Sequence, residues 1–151
     1  MNGGLLLSDF EIALNEVFEA CVQAADIHAA AAEHSDGAQL RPDLEALGRR
    51  RAETSEWAGD YLAKYGEGPN RPSEEMELVK KAVTHARSVF GTDSVLAGCR
   101  AAEERVRDSA YRALPLTEDR ALRQKLETLS RDAATLVNMF DSHIGPKNGE
   151  G

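Results

Sequence analysis

The sequence has 151 residues, enough for one domain to bury a core, and a formal net charge of -8. This acidic balance argues against nucleic acid as a partner, and the lack of any apolar run of about 18 residues argues against a membrane helix. The start of the chain lacks the basic region and cleavage pattern of a secretory signal, and two cysteines suit a reducing compartment. We therefore expect a cytoplasmic protein.

The first two predicted helices begin at clear start signals. The stretch "SDFE" at Ser8 is a capping box, and no Gly or Pro follows before residue 37, so the first helix is predicted to run to about His34. Pro42 suits the first turn of a second helix, which is predicted to end near Tyr65. The 23 Ala and 16 Leu, against only three Ile, favour helices throughout.

A shorter helix is predicted between the second and third long ones. Its cap is Ser73, and its apolar stripe consists of Met76, Val79, Val83 and Phe90. Trp57 lies on the flank of the second helix's apolar face, where it either seals the bundle against this shorter helix or forms part of a subunit interface.

Two more long helices complete the chain. The third is capped by Thr92 or Asp93 and is predicted to end at Leu114. The last is capped by Thr117 and is predicted to end near His143, followed by a disordered tail at residues 145–151. Residues 1–144 thus form a single all-α domain: a four-helix bundle with one crossover helix.

Three polar side chains interrupt the predicted core. At about 100° per residue, His28, Arg51 and Glu103 point inward, whereas Asp26 and Glu33 point outward. Because an isolated buried charge is costly, three interpretations stay open: Arg51 pairs with Glu103 while His28 hydrogen-bonds nearby, Glu103 and His28 hold a metal or small ligand, or some of the three reach solvent.

Three segments carry a family resemblance: "VFEACVQAADIHAAAAE", "DLEALGRRRAETSEWAGDYL" and "TDSVLAGCRAAEERVRDSAYRAL". They resemble a bacterial ferritin-like four-helix-bundle family of unknown function, over most of residues 11–140. In the wider superfamily, catalytic members hold two metal ions with inward Glu residues and Glu-x-x-His pairs. This sequence contains no Glu-x-x-His, and Glu103 alone resembles a ferritin-type ligand. Near residue 131, only Asp132 of an expected His-Asp pair is present. The resemblance therefore implies the fold and weakens an expectation of ferroxidase or oxygenase activity.

The function expected from these observations is non-enzymatic. The protein would act through self-association as a homo-oligomer or through an unknown protein partner, without a cofactor, and a stress-associated role is an open option. One alternative is a degenerate di-iron-type protein that binds iron or another divalent metal with Glu103 and His28. A second is a histidine phosphotransfer module at His85, although Ser88 and Val89 replace the Lys and small residue that such modules place after the histidine.

Overall fold

The computed structural model describes residues 8–35, 40–65 and 92–150, and these ranges contain helices and no strand. The four α-helices and the one 3₁₀ turn are α1 (Asp9–Glu33), α2 (Leu40–Tyr65), α3 (Thr92–Ala113), the turn Leu114–Leu116 and α4 (Arg120–Glu150). The all-α prediction is confirmed. None of the described helices is both long and apolar enough to cross a membrane. The predicted shorter helix, with Ser73 and its apolar stripe, lies outside the described residues.

The ends of the helices follow local capping chemistry. Ser8 Oγ accepts from the amide of Glu11 at 3.1 Å, and Glu11 Oε1 accepts from the amide of Ser8 at 3.0 Å, so the capping box is present. The predicted cap of the last helix is wrong. Asp119 Oδ1 accepts from the amide of Leu122 at 3.0 Å, whereas Thr117 Oγ1 donates to the carbonyl of Ala113 at 2.7 Å. The 3₁₀ turn Leu114–Leu116 folds Thr117 back so that its hydroxyl bonds to the end of α3. Asp119 is then the residue next to the first turn of α4.

The last helix is longer than the sequence pattern predicts. α4 continues through Gly145 and Pro146 to Glu150, whereas we expected it to end near His143 and to be followed by a disordered tail. The predicted end rested on Gly145 and Pro146, because proline lacks the backbone N–H that a helix interior uses.

Side-chain contacts fix the direction of each helix. The ring of Phe10 meets that of Tyr65 at 5.2 Å, so α1 and α2 are antiparallel. Glu16 lies 3.6 Å from Arg112, so α1 and α3 are antiparallel as well. Because α2 and α3 both oppose α1, they run in the same direction, and residues 66–91 connect opposite ends of the bundle.

α1 lies at the centre of this arrangement, since it packs along both α2 and α3, while α4 packs along α3. Two neighbours bury a wide face of α1, so Ala24, Ile27 and Ala31 belong to the core together with Leu14 and Val17. Gly48 lies at a close approach of α2 to α1. A Cβ atom there would lie 3.4 Å from the carbonyl oxygen of Ala25. The alanine-rich face of α1 therefore allows close backbone packing.

The two helical glycines provide a test of this packing. Gly48→Leu is expected to lower the free energy of unfolding by about 1–3 kcal/mol, because the larger side chain would meet the α1 backbone. Gly98 is the matched control, since a Cβ there meets no described atom within 4 Å. Gly98→Leu is expected to keep or raise stability, because Gly is the poorer helix former. Urea denaturation of both variants measures the difference, and equal losses would contradict the close approach at Gly48.

Candidate functional site

The interior polar cluster, defined as His28, Arg51 and Glu103, forms where α1, α2 and α3 meet. All three residues are almost completely buried, at 0%, 1% and 0% exposure. Each lies on its helix in phase with apolar neighbours: Cys21 precedes His28 by two turns, and Cys99 precedes Glu103 by one turn. The structure thus brings together the three residues that the sequence pattern placed inward.

Glu103 is the acceptor at the centre of the cluster. Arg51 Nη2 donates to Glu103 Oε1 at 2.7 Å, and Arg51 Nε donates to Oε2 at 3.0 Å. This two-pronged geometry is the strongest form of a guanidinium–carboxylate contact. His28 Nε2 lies 2.7 Å from Oε2. Both carboxylate oxygens of Glu103 are therefore engaged by protein groups.

The orientation of His28 follows from its contact with Glu103. A carboxylate can only accept hydrogen bonds, so Nε2 is a protonated nitrogen that donates to Glu103. The opposite nitrogen, Nδ1, is buried and has no hydrogen-bond partner among the described residues. Its ring lies nearly parallel to that of Phe140, with centroids 6.1 Å apart. His28 therefore uses one nitrogen for the cluster and its ring face for core packing.

A second carboxylate extends the cluster toward solvent. Asp132 on α4 accepts from Arg51 Nη2 at 3.1 Å, and Arg50 Nη2 donates to it at 2.5 Å. The guanidinium of Arg51 thus bridges Glu103 and Asp132. The side chain of Asp132 is 32% exposed, so the ion pairs run from the core to the surface. From the sequence, Asp132 stood out only as one half of an expected His-Asp pair, and no contact with Arg51 was predicted for it. Its position next to Leu129 and Ala133, which are core residues of α4, is the signal in the sequence that Asp132 lies near the interior.

These contacts shift the pKa values of the carboxylates. Burial by itself raises the pKa of Glu103, but hydrogen bonds from His28 and Arg51, together with the charge of Arg51, hold it below the usual 4.5. Desolvation also raises the pKa of Asp132, but the hydrogen bonds and charges of Arg50 and Arg51 outweigh this effect, so its pKa is lowered overall. Burial lowers the pKa of Arg51, but its hydrogen bonds to Glu103 and the charge of Glu103 outweigh this effect, so its pKa is raised overall. The pairs are therefore fully ionised at neutral pH.

The two cysteines lie in the same interior and are inert. Burial raises the pKa of Cys21 and of Cys99 to about 12 each, so neither carries a thiolate at neutral pH. Both are free thiols. Outside the cluster, Glu33 and His34 are exposed, as the helical wheel predicts, and Asp26 is half-buried. His85 lies outside the described residues.

The donors in the cluster do not fit a di-metal centre. Glu103 and His28 contact each other, and Arg51 holds the carboxylate where a cation would bind it. Asp132, the next carboxylate, is held by Arg50 and Arg51. Among the described residues, no three His, Cys, Asp or Glu side chains come together at a spacing that could hold a metal ion. A guanidinium supplies here the positive charge that a metal ion supplies in carboxylate-rich bundles.

A groove of about 650 Å³ lies between α2 and α4, and we call it the α2–α4 groove. Arg50, Arg51 and Asp132 line its polar end, while Trp57 and Leu129 line its apolar part. Lys125 Nζ lies 5.4 Å from the centre of the Trp57 ring, within cation–π distance. The outer part of the charge network thus opens into a surface groove.

Comparisons with protein-family models, with characterised proteins and with solved structures found no match to this chain.

The pairing in the cluster predicts strongly non-additive mutations. Glu103→Leu alone is expected to cost about 3–5 kcal/mol of unfolding free energy, because it leaves the Arg51 guanidinium buried without its main partner. The double variant Arg51→Met with Glu103→Leu is expected to recover most of this loss, since both charges are gone. Chemical denaturation of the wild type, both single variants and the double variant measures the coupling. A simple sum of the two single losses would contradict the buried pair.

The lowered pKa of Glu103 also predicts a pH dependence. Because the folded pKa lies below that of the unfolded chain, its contribution to stability is complete above the unfolded value. It is lost as pH falls through the folded value. As pH falls below the usual 4.5 of a Glu side chain, stability of the wild type is therefore expected to fall more steeply than that of Glu103→Gln. Thermal melts across this range measure both slopes, and equal slopes would show that Glu103 does not contribute in this way.

Proposed function

We propose that this protein is a non-enzymatic, ferritin-like helical bundle that acts through contact with a second copy of itself or with a protein partner. The observation that carries the proposal is the engagement of Glu103. Its two oxygens accept from Arg51 and His28, so the most ligand-like carboxylate in the interior is used for internal pairing. The cluster therefore serves to hold α1, α2 and α3 together.

The order and direction of the helices support the ferritin-like part of the proposal. In that fold, a long connection joins the second and third long helices across the length of the bundle. Here α2 and α3 run in the same direction, and residues 66–91 lie between them in the chain. An up-down-up-down bundle with short loops would instead place α2 and α3 antiparallel.

One end of the bundle offers a surface for protein contact. Of the large hydrophobic side chains that the described residues expose, Ile12, Tyr65, Tyr111 and Leu116 lie near the end where α1 begins and α2 and α3 finish, whereas Met139 lies toward the other end. A small cavity at this end is lined by Phe10, Tyr65 and Leu116. Aromatic and large aliphatic side chains grouped in this way are typical of association surfaces. We call this group of exposed side chains the end patch.

Self-association through the end patch has a matched control. Leu116 and Met139 are each 40% exposed, so substitution of either by Glu adds the same charge at similar exposure. Leu116→Glu is expected to shift the protein toward monomer in sedimentation equilibrium, whereas Met139→Glu is expected to leave the distribution unchanged. If the wild type is a monomer at every concentration, the self-association part of the proposal is wrong, and a separate partner takes its place.

The metal-binding alternative, with Glu103 and His28 as ligands, predicts tight binding of a divalent metal. Our proposal predicts that untagged, metal-free protein binds neither Fe(II), Mn(II) nor Zn(II) tightly in calorimetric titrations. The variant Arg51→Leu with Glu103→Gln is expected to fold and to bind no less metal than the wild type. Tight binding that is lost in Glu103→Ala would overturn the non-enzymatic proposal in favour of the alternative. Phosphoryl transfer to His85 would favour the phosphotransfer alternative.

A further inference from the structure

We propose that the α2–α4 groove is a docking site for residues 66–91 of the same chain, with the apolar stripe Met76, Val79, Val83 and Phe90 seated on Trp57 and Leu129. This goes beyond the proposed function, because it concerns how the chain closes its own bundle. Three features support this docking: the route of the connection, the apolar surface of the groove, and the position of Lys125 beside the path of an acidic segment.

The route of the connection is set by the ends of α2 and α3. Tyr65 lies at the end of the bundle where Asp119 precedes α4, since its hydroxyl donates to Asp119 at 2.9 Å. α3 begins at the opposite end, because Arg100 near its start pairs with Asp141 near the far end of α4. Residues 66–91 therefore travel at least the length of α3, which is about 33 Å.

α2 and α3 do not pack along each other, so a chain that joins them crosses either the outside of α1 or the side of α4. α1 is packed closely against both α2 and α3. The side of α4 instead has an open groove with an apolar floor, formed by Trp57 and the buried Leu129. The groove is thus the surface that an apolar stripe would cover.

The order of charges agrees with this path. A chain that leaves Tyr65 passes the part of the groove near Lys125 first and the part near Asp132 later, because α4 runs from Asp119 toward Asp132. The first half of the connection is net acidic, because Glu67, Glu74, Glu75 and Glu77 outnumber Arg71, and the second half carries Lys80, Lys81 and Arg87. The carboxylates of the first half therefore reach Lys125, the cation in the near part of the groove, whereas Asp132 in the far part is already paired with Arg50 and Arg51.

Trp57 is the single tryptophan of the chain, so its fluorescence reports on the groove directly. In the full-length wild type, we expect a blue-shifted emission and weak quenching by acrylamide. Val83→Asp places a charge in the apolar stripe and is expected to shift the emission to the red and to raise the quenching constant. Ser88→Asp is the matched control, because on a helical wheel it lies opposite the stripe, and it is expected to behave as the wild type. Circular dichroism identifies any variant that fails to fold.

A second measurement identifies the occupant of the groove even if Val83→Asp unfolds the protein. Carbodiimide cross-linking of the wild type, followed by peptide mapping, is expected to join Lys125 to Glu74, Glu75 or Glu77 within one chain. The protection of Trp57 is also expected to be unchanged on dilution. Cross-links that join two chains, or protection that disappears on dilution, would show that a second copy occupies the groove and would overturn the proposal. Equal quenching of wild type and Val83→Asp, both folded, would overturn it as well.

Discussion

Burial of Glu103 imposes a constraint on three helices at once. An ionised carboxylate in a protein interior costs several kcal/mol unless nearby donors replace the water it has lost. Here the donors come from two other helices, Arg51 on α2 and His28 on α1. A two-pronged guanidinium contact tolerates little translation or rotation, whereas aliphatic packing tolerates more. The cluster thereby fixes the axial positions of α1, α2 and α3 relative to each other.

Close packing around the cluster explains why protein groups rather than water satisfy it. Small side chains on α1 and Gly48 on α2 bring the two backbones together, and Cys21 and Cys99 fill the interior near the charges. The strongly raised pKa values of both thiols report the same lack of solvent. In such an environment each charge needs a charged partner from the chain itself, and Arg51 meets this need for Glu103.

Periodicity alone was enough to place His28, Arg51 and Glu103 in the interior, because each lies in phase with apolar residues of its own helix. It could not show that Asp132 would join them. That contact depends on how α2 and α4 approach each other, which no pattern within one helix encodes. The width of the buried face of α1 depends in a similar way on the number of neighbouring helices, which no pattern within one helix encodes. The cap at Asp119 was missed because the 3₁₀ turn shifts the start of α4 beyond Thr117.

The charges of the network alternate in sign from the core to the surface: Glu103, Arg51, Asp132 and then Arg50. Each inner charge is therefore flanked by opposite charge, and only the outer pair is screened by solvent. Asp132 connects the two regions, since it contacts the buried Arg51 on one side and lines the α2–α4 groove on the other. A segment seated over Asp132 would reduce its screening and strengthen its attraction to Arg51. Covering the groove and holding the interior cluster together are, for this reason, physically coupled.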